Sequence, residues 1–106
     1  MSVYVDPIMA WLAGAKWPWG EVSHLFADTD VELHAFAARL GLKRSWFQRS
    51  PAGPNHTGVP HYDLTRGKHY QAIRAGATVL DRRQTVEFWR AKGWRPPAPA
   101  KEAVET

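Results

Sequence analysis

An α+β fold, a small mixed sheet of four to five short strands with about three helices, is what this sequence predicts. Three observations predict it. Short β-branched and aromatic runs such as Val3-Tyr4-Val5 and Val22-Ser23-His24-Leu25-Phe26-Ala27 end at polar residues. Between such runs lie helix-length segments that start on Thr or Asp and stop at Gly. No internal repeat is visible, and 106 residues fit one core with little to spare for a second.

The elements follow in order. Val3-Tyr4-Val5 reads as a first strand that ends at Asp6-Pro7. Residues 7–20 hold two Pro, two Gly and three Trp without a clean period, which predicts an irregular apolar loop with a turn of helix around Ile8–Ala13. Val22–Ala27 is a second, buried strand. Thr29-Asp30-Val31-Glu32 then forms a capping box, and Leu33, Phe36, Ala37 and Leu40 follow at helical spacing before Gly41. Leu42 to Gln48 reads as a short strand containing Trp46 and Phe47. Residues 49–60 carry three Pro in twelve positions and are expected to form a long loop. His61-Tyr62-Asp63-Leu64 is extended, and Thr65 caps a second helix that runs to about Ala75, with Gly76 as its stop. Thr78-Val79-Leu80 is a last short strand. Asp81, with Gln84 in the reciprocal position, caps a third helix that ends at Gly93, where Trp94 is expected to fold back on Trp89. The domain is therefore placed at residues 1–95, and the Pro/Ala-rich residues 96–106 are expected to be a disordered tail.

Composition narrows the function classes. The chain has no Cys, which excludes disulfides, thiolate nucleophiles and thiolate metal sites. No secretory signal pattern and no apolar run of transmembrane length is present, so the expected location is cytoplasmic, with no membrane partner. Net charge is +4 and segregated. Residues 39–95 carry twelve bases against three acids, an asymmetry that suits a phosphate-containing ligand or nucleic acid, or an attraction between the two halves of one surface.

The residue types that carry chemistry gather at strand ends that lead into helices. His61 and Asp63 alternate along an extended segment, so their side chains leave one face, as a metal half-site or an oriented general base requires. His24 and Asp28 complete a divalent-ion site if the two strands are neighbours. His34 lies about 60° from Ala37, at the edge of its helix's apolar stripe, where it serves as a base or simply bonds a neighbouring carbonyl. Lys68, in the first turn of its helix, is a candidate for balancing charge on a phosphoryl oxygen or a solvated surface base. Trp46, Phe47 and Gln48 interleave with Lys43, Arg44 and Arg49, a composition that binds single strands by stacking and phosphate contacts. On a two-sided strand one of the two aromatics must face the core.

Val3-Tyr4-Val5-Asp6, His24 through Thr29, Glu32-Leu33-His34-Ala35, Trp46-Phe47-Gln48, His61-Tyr62-Asp63, Lys68 and Ala75-Gly76-Ala77 resemble a family known as domain of unknown function 4031, small proteins of bacteria and bacteriophages. The resemblance spans most of residues 3–85. It departs from the family pattern at Pro7, where a second Asp is common, and at His69, where a base is common. The resemblance implies no activity, but it implies a shared site made from Asp6, His24, His34, His61, Asp63 and Lys68.

Two readings follow. In the first the protein is a small phosphate-handling enzyme, a metal-assisted hydrolase or nuclease. His24, His61 and Asp63 hold a divalent ion there, His34, His61 and Lys68 assist the reaction, and Asp6, Asp28, Trp46 and Gln48 complete the site. In the second it is a non-catalytic accessory module that docks nucleic acid or protein, and the histidines are structural.

Overall fold

In the computed structural model, which describes residues 2–10, 17–49 and 57–95, the chain runs through β1 (Val3–Val5), β2 (Met9–Ala10), β3 (Glu21–Ala27), α1 (Asp30–Arg39), a 3₁₀ turn (Arg44–Trp46), β4 (Gln48–Arg49), β5 (Thr57–Gly58), β6 (Pro60–Leu64), α2 (Arg66–Arg74), β7 (Thr78–Val79), α3 (Arg82–Ala91) and β8 (Trp94–Arg95). The main sheet has the order β4-β6-β3-β1-β7, with β2 added beside the start of β3. β3 is the axis of the sheet because Val22 through Ala27 are all buried. It runs antiparallel to β1, with Val5 opposite Leu25, and antiparallel to β6, with His24 opposite Asp63. β7 closes the far edge parallel to β1, and β5 pairs with β8 in a separate parallel ribbon. The α+β class is as the sequence predicts.

Strand alternation divides the apolar residues between two layers. Val3, Val5, Leu25, Ala27, Tyr62 and Leu64 face α1 and α2, which contribute Leu33, Phe36, Ala37 and Ala72 to the larger core. Tyr4 and Phe26 point the other way and meet Phe88 and Trp89 of α3, together with Val59 and Trp94. By the same alternation His24, His61 and Asp63 belong to the α3 side. No helix among the described residues is long and apolar enough to cross a membrane.

Capping residues set the helix starts. Thr29, Thr65 and Asp81 each accept from the backbone N–H three residues on. The box at Asp81 is complete, since the Gln84 side chain returns to the Asp81 N–H at 2.9 Å. The box at Thr29 is half formed. Glu32 bonds the Thr29 hydroxyl at 3.1 Å and the Ser2 backbone N–H at 3.4 Å, which ties α1 to the start of β1. Gly76 ends α2 at φ +109°, a conformation that a side chain would strain.

Three expectations are revised. Met9 and Ala10 are extended and pair with Val22 and Glu21 instead of opening a helical turn; the rest of that expected turn lies outside the described residues. The segment 42–48 is not a strand, because Arg44–Trp46 coil into a 3₁₀ turn and only Gln48 and Arg49 reach the β6 edge. The expected loop 49–60 has paired ends, in β4 at one side and β5 and β6 at the other, and its residues 50–56 lie outside the described residues. Trp94 folds back onto the cluster that contains Trp89, and its ring centroid lies 5.9 Å from that of Phe88. The expected tail 96–106 also lies outside the described residues.

Candidate metal centre

Two strand pairings build the site. The β3–β6 register sets His24 beside Asp63, and His61 lies two residues back on the same face. Asp6, just past the end of β1, comes opposite His24 through the β1–β3 register. His24 Nε2 lies 3.7 Å and His61 Nε2 3.4 Å from Asp63 Oδ1. The three ligand atoms all lie within 4.8 Å of one another. In a tetrahedral site with nitrogen and oxygen ligands, neighbouring donors stand about 3.3 Å apart, and the two imidazole-to-carboxylate distances are close to that value.

Each ligand is held from behind. The Asp6 carboxylate accepts from the His24 backbone N–H at 2.6 Å with one oxygen and from His24 Nδ1 at 2.7 Å with the other. His61 Nδ1 donates to the Val59 carbonyl at 2.8 Å. The Gln48 amide donates to Asp63 Oδ2 at 2.7 Å. A carbonyl and a carboxylate can only accept, so both Nδ1 atoms carry hydrogen. In the neutral rings, both Nε2 lone pairs therefore face the same carboxylate oxygen. Three acceptors aimed at one point repel each other unless a proton or a cation stands between them. Partners of this kind are what orient ligands around metals in general.

The electrostatics agree with that reading. Burial pulls the His24 pKa down, but the Asp6 hydrogen bond and the charges of Asp6 and Asp63 outweigh it, and the net shift is upward. Burial pushes the Asp63 carboxyl up, yet contact with His61, the charges of His61 and His24, and the Gln48 amide bring it below the usual range. The cluster holds positive charge well. His24 and His61 are only 7% and 3% exposed, whereas the Asp63 side chain is 23% exposed and Gln48 is exposed, so the site opens at the β4 edge.

Six of the residues singled out from the sequence take definite places around or away from this point. Asp6 and Gln48 support it. Asp28 does not join it: its carboxylate accepts from the Tyr4 hydroxyl at 3.4 Å and lies 4.0 Å from Lys92 Nζ. His34 is on the opposite face of the sheet, where Nδ1 meets the Tyr62 hydroxyl at 2.9 Å and the ring packs edge-on against Phe47. Burial, then the charges of Arg44 and Arg49, lower the His34 pKa against the pull of Asp30, as suits a neutral ring. Lys68 is also on that face, and its ammonium donates to the Leu40 carbonyl at the end of α1 at 2.6 Å. Trp46, 49% exposed, stands on the turn that leads into β4, while Phe47 packs inward.

Lys68 thus ties α2 to the end of α1, which gives a testable consequence. Lys68→Met is expected to lower stability by about 1 kcal/mol in urea unfolding while leaving any metal affinity unchanged. Loss of metal binding in that variant would contradict the placement.

Two supporting features had no signal in the residue pattern. The Val59 carbonyl depends on backbone geometry. Trp89 reaches the site from α3, with its ring centroid 6.1 Å from that of His24 and its indole N–H without a hydrogen-bond partner among the described residues. His69, a departure from the expected family pattern, is buried and pairs with the Ser23 hydroxyl at 2.8 Å; burial lowers its pKa. Pro7, the other departure, is exposed and leaves the Asp6 contacts intact. Among known proteins, no curated protein and no solved structure matches the chain. A family model described as Protein of unknown function (DUF4031) matches residues 3–92.

Proposed function

The chain belongs to the DUF4031 family, a membership that leaves the chemistry to be read from the site, and we propose that His24, His61 and Asp63 bind one divalent metal ion in a hydrolase for phosphoesters. The observation that carries this reading is the convergence of two buried imidazole Nε2 atoms on Asp63 Oδ1, each ring with its other nitrogen already committed. Two imidazoles and one carboxylate suit zinc, manganese or iron better than the all-oxygen preference of calcium and magnesium. Three protein ligands leave coordination positions open, as catalytic sites do. Such an ion supplies Lewis acidity and an activated water, which phosphoester hydrolysis needs. The surplus of bases in residues 39–95 favours an anionic substrate.

The test is metal content and metal-induced stabilisation of the purified protein, with His61→Ala and Asp63→Ala beside it. Zinc or manganese at about a hundredfold above its Kd is expected to raise wild-type stability by about 2.7 kcal/mol. Both variants should lose that gain. Binding should tighten as pH rises, since the proton that His24 holds competes with the ion. Hydrolysis of a chromogenic phosphodiester should require the same ion and the same two residues. A wild-type protein that binds no ion, or a His61→Ala variant stabilised equally, would overturn the proposal and leave the histidines as structural members of a binding module.

A further inference from the structure

We propose that the edge formed by the Arg44–Trp46 turn and β4 is a platform for single-stranded nucleic acid, with Trp46 as the stacking surface and Lys43 and Arg44 as phosphate contacts. This names the substrate class of the metal centre; it rests on the metal reading for any cleavage, and not for binding.

Position is the first support. The metal centre opens beside Asp63 and Gln48, and Trp46 lies two residues before Gln48 on the same edge. A chain of nucleotides stacked at Trp46 would therefore run along the edge that carries Gln48.

The side chains are the second support. Trp46 is half exposed, although its neighbour Phe47 is turned inward against His34 and Tyr62. An indole held outward on a short turn contributes little to the core, but it offers a flat surface to an unpaired base. The Lys43 ammonium lies 5.6 Å from the Trp46 ring centroid, and the Arg44 guanidinium lies 5.0 Å from that of Phe47. The Lys43 cation sits beside the place a stacked nucleotide would take, where its phosphate needs it, and Arg44 adds positive charge to the same turn. Lys43 and Arg44 have no carboxylate partner among the described residues, whereas Arg49 is committed to Asp30 at 2.9 Å.

Charge is the third. Residues 33–62 contain Arg39, Lys43, Arg44 and Arg49 and no Asp or Glu, so no carboxylate within that stretch repels a phosphate. A lone exposed indole favours a single strand over a duplex, whose base faces are already stacked.

The test is fluorescence anisotropy with a labelled oligothymidylate in EDTA, where the metal centre plays no part. Wild type should bind, with affinity falling as salt rises. Trp46→Ala should weaken binding roughly 5- to 100-fold, and Trp46→Phe should keep most of it. Removing two cations in Lys43→Gln/Arg44→Gln should flatten the log–log salt slope by about 1.4. Lys43, Arg44 and Trp46 are exposed, so the thermal melts of these variants should match wild type. No binding, binding indifferent to Trp46→Ala, or a duplex bound equally tightly would overturn the platform. Intact oligonucleotide binding with no metal stabilisation would instead remove the metal reading and keep the platform.

Discussion

Asp6→Ala is expected to cost about 3–5 kcal/mol of folding stability, measured by urea unfolding against wild type. Asp6 is 2% exposed and its two oxygens satisfy both the backbone N–H and the ring N–H of His24. Removing the carboxylate strands two donors in a buried place and deletes the charge that supports the His24 proton. Natural domains hold about 5–15 kcal/mol in all, so a third or more of the total is at stake. Asp6→Asn separates the structural from the ligand-orienting role. Its single amide oxygen can accept from one of the two donors and not both. The His24 ring is then free to turn, and metal affinity is expected to fall about 10- to 100-fold in calorimetric titration even where the fold survives. An Asn variant that binds metal as wild type does would show that Asp6 serves the sheet alone.

Phe26→Ala is expected to cost a similar amount, about 3–5 kcal/mol, for a different reason. Phe26 is fully buried between Tyr4, Phe88 and Trp89, with ring centroids 5.4–5.7 Å away. Alanine leaves a cavity that rigid aromatic rings fill poorly. The small α3-side core has few other buried residues to share the loss. Phe26→Leu keeps most of the volume and should cost less than half as much. Because Phe26 lies on the same face as His24 and two residues along, the Leu variant should retain metal binding. If Phe26→Ala unfolded at the wild-type urea midpoint, α3 would not be packed on the sheet as described.

Much of this arrangement is legible in the residue pattern. The three helices show because Thr29, Thr65 and Asp81 cap locally and Gly41, Gly76 and Gly93 stop locally. His61 and Asp63 share a face because extended chain has a period of two. His24 could be offered as their partner only on the condition that β3 and β6 are neighbours, since strand order is set by packing between distant segments. The same limit hides which face each helix covers. His34 and Lys68 therefore look as close to the site in sequence as Asp6 does, although α1 and α2 carry them to the other side of the sheet. Leu42–Gln48 misleads because Trp and Phe favour strands while the local backbone coils, with Phe47 N–H bonded to the Arg44 carbonyl at 3.1 Å.

The hydrogen-bonded cluster on β3 and β6 also acts as a gauge of strand alignment during folding. A slip of β6 by one residue along β3 would drive His61 and Asp63 into the layer beneath α1 and α2 and move Tyr62 and Leu64 to the α3 side. Burying an unpaired carboxylate there is far costlier than the apolar exchange alone, so the misaligned sheet is rejected by charge as well as by shape. Alignment on the other side is checked by Asp6, 18 residues from His24 in sequence. Both checks depend on contacts between distant segments. The slow step in folding should therefore be the joining of β1 and β6 to β3, after the locally capped helices have formed.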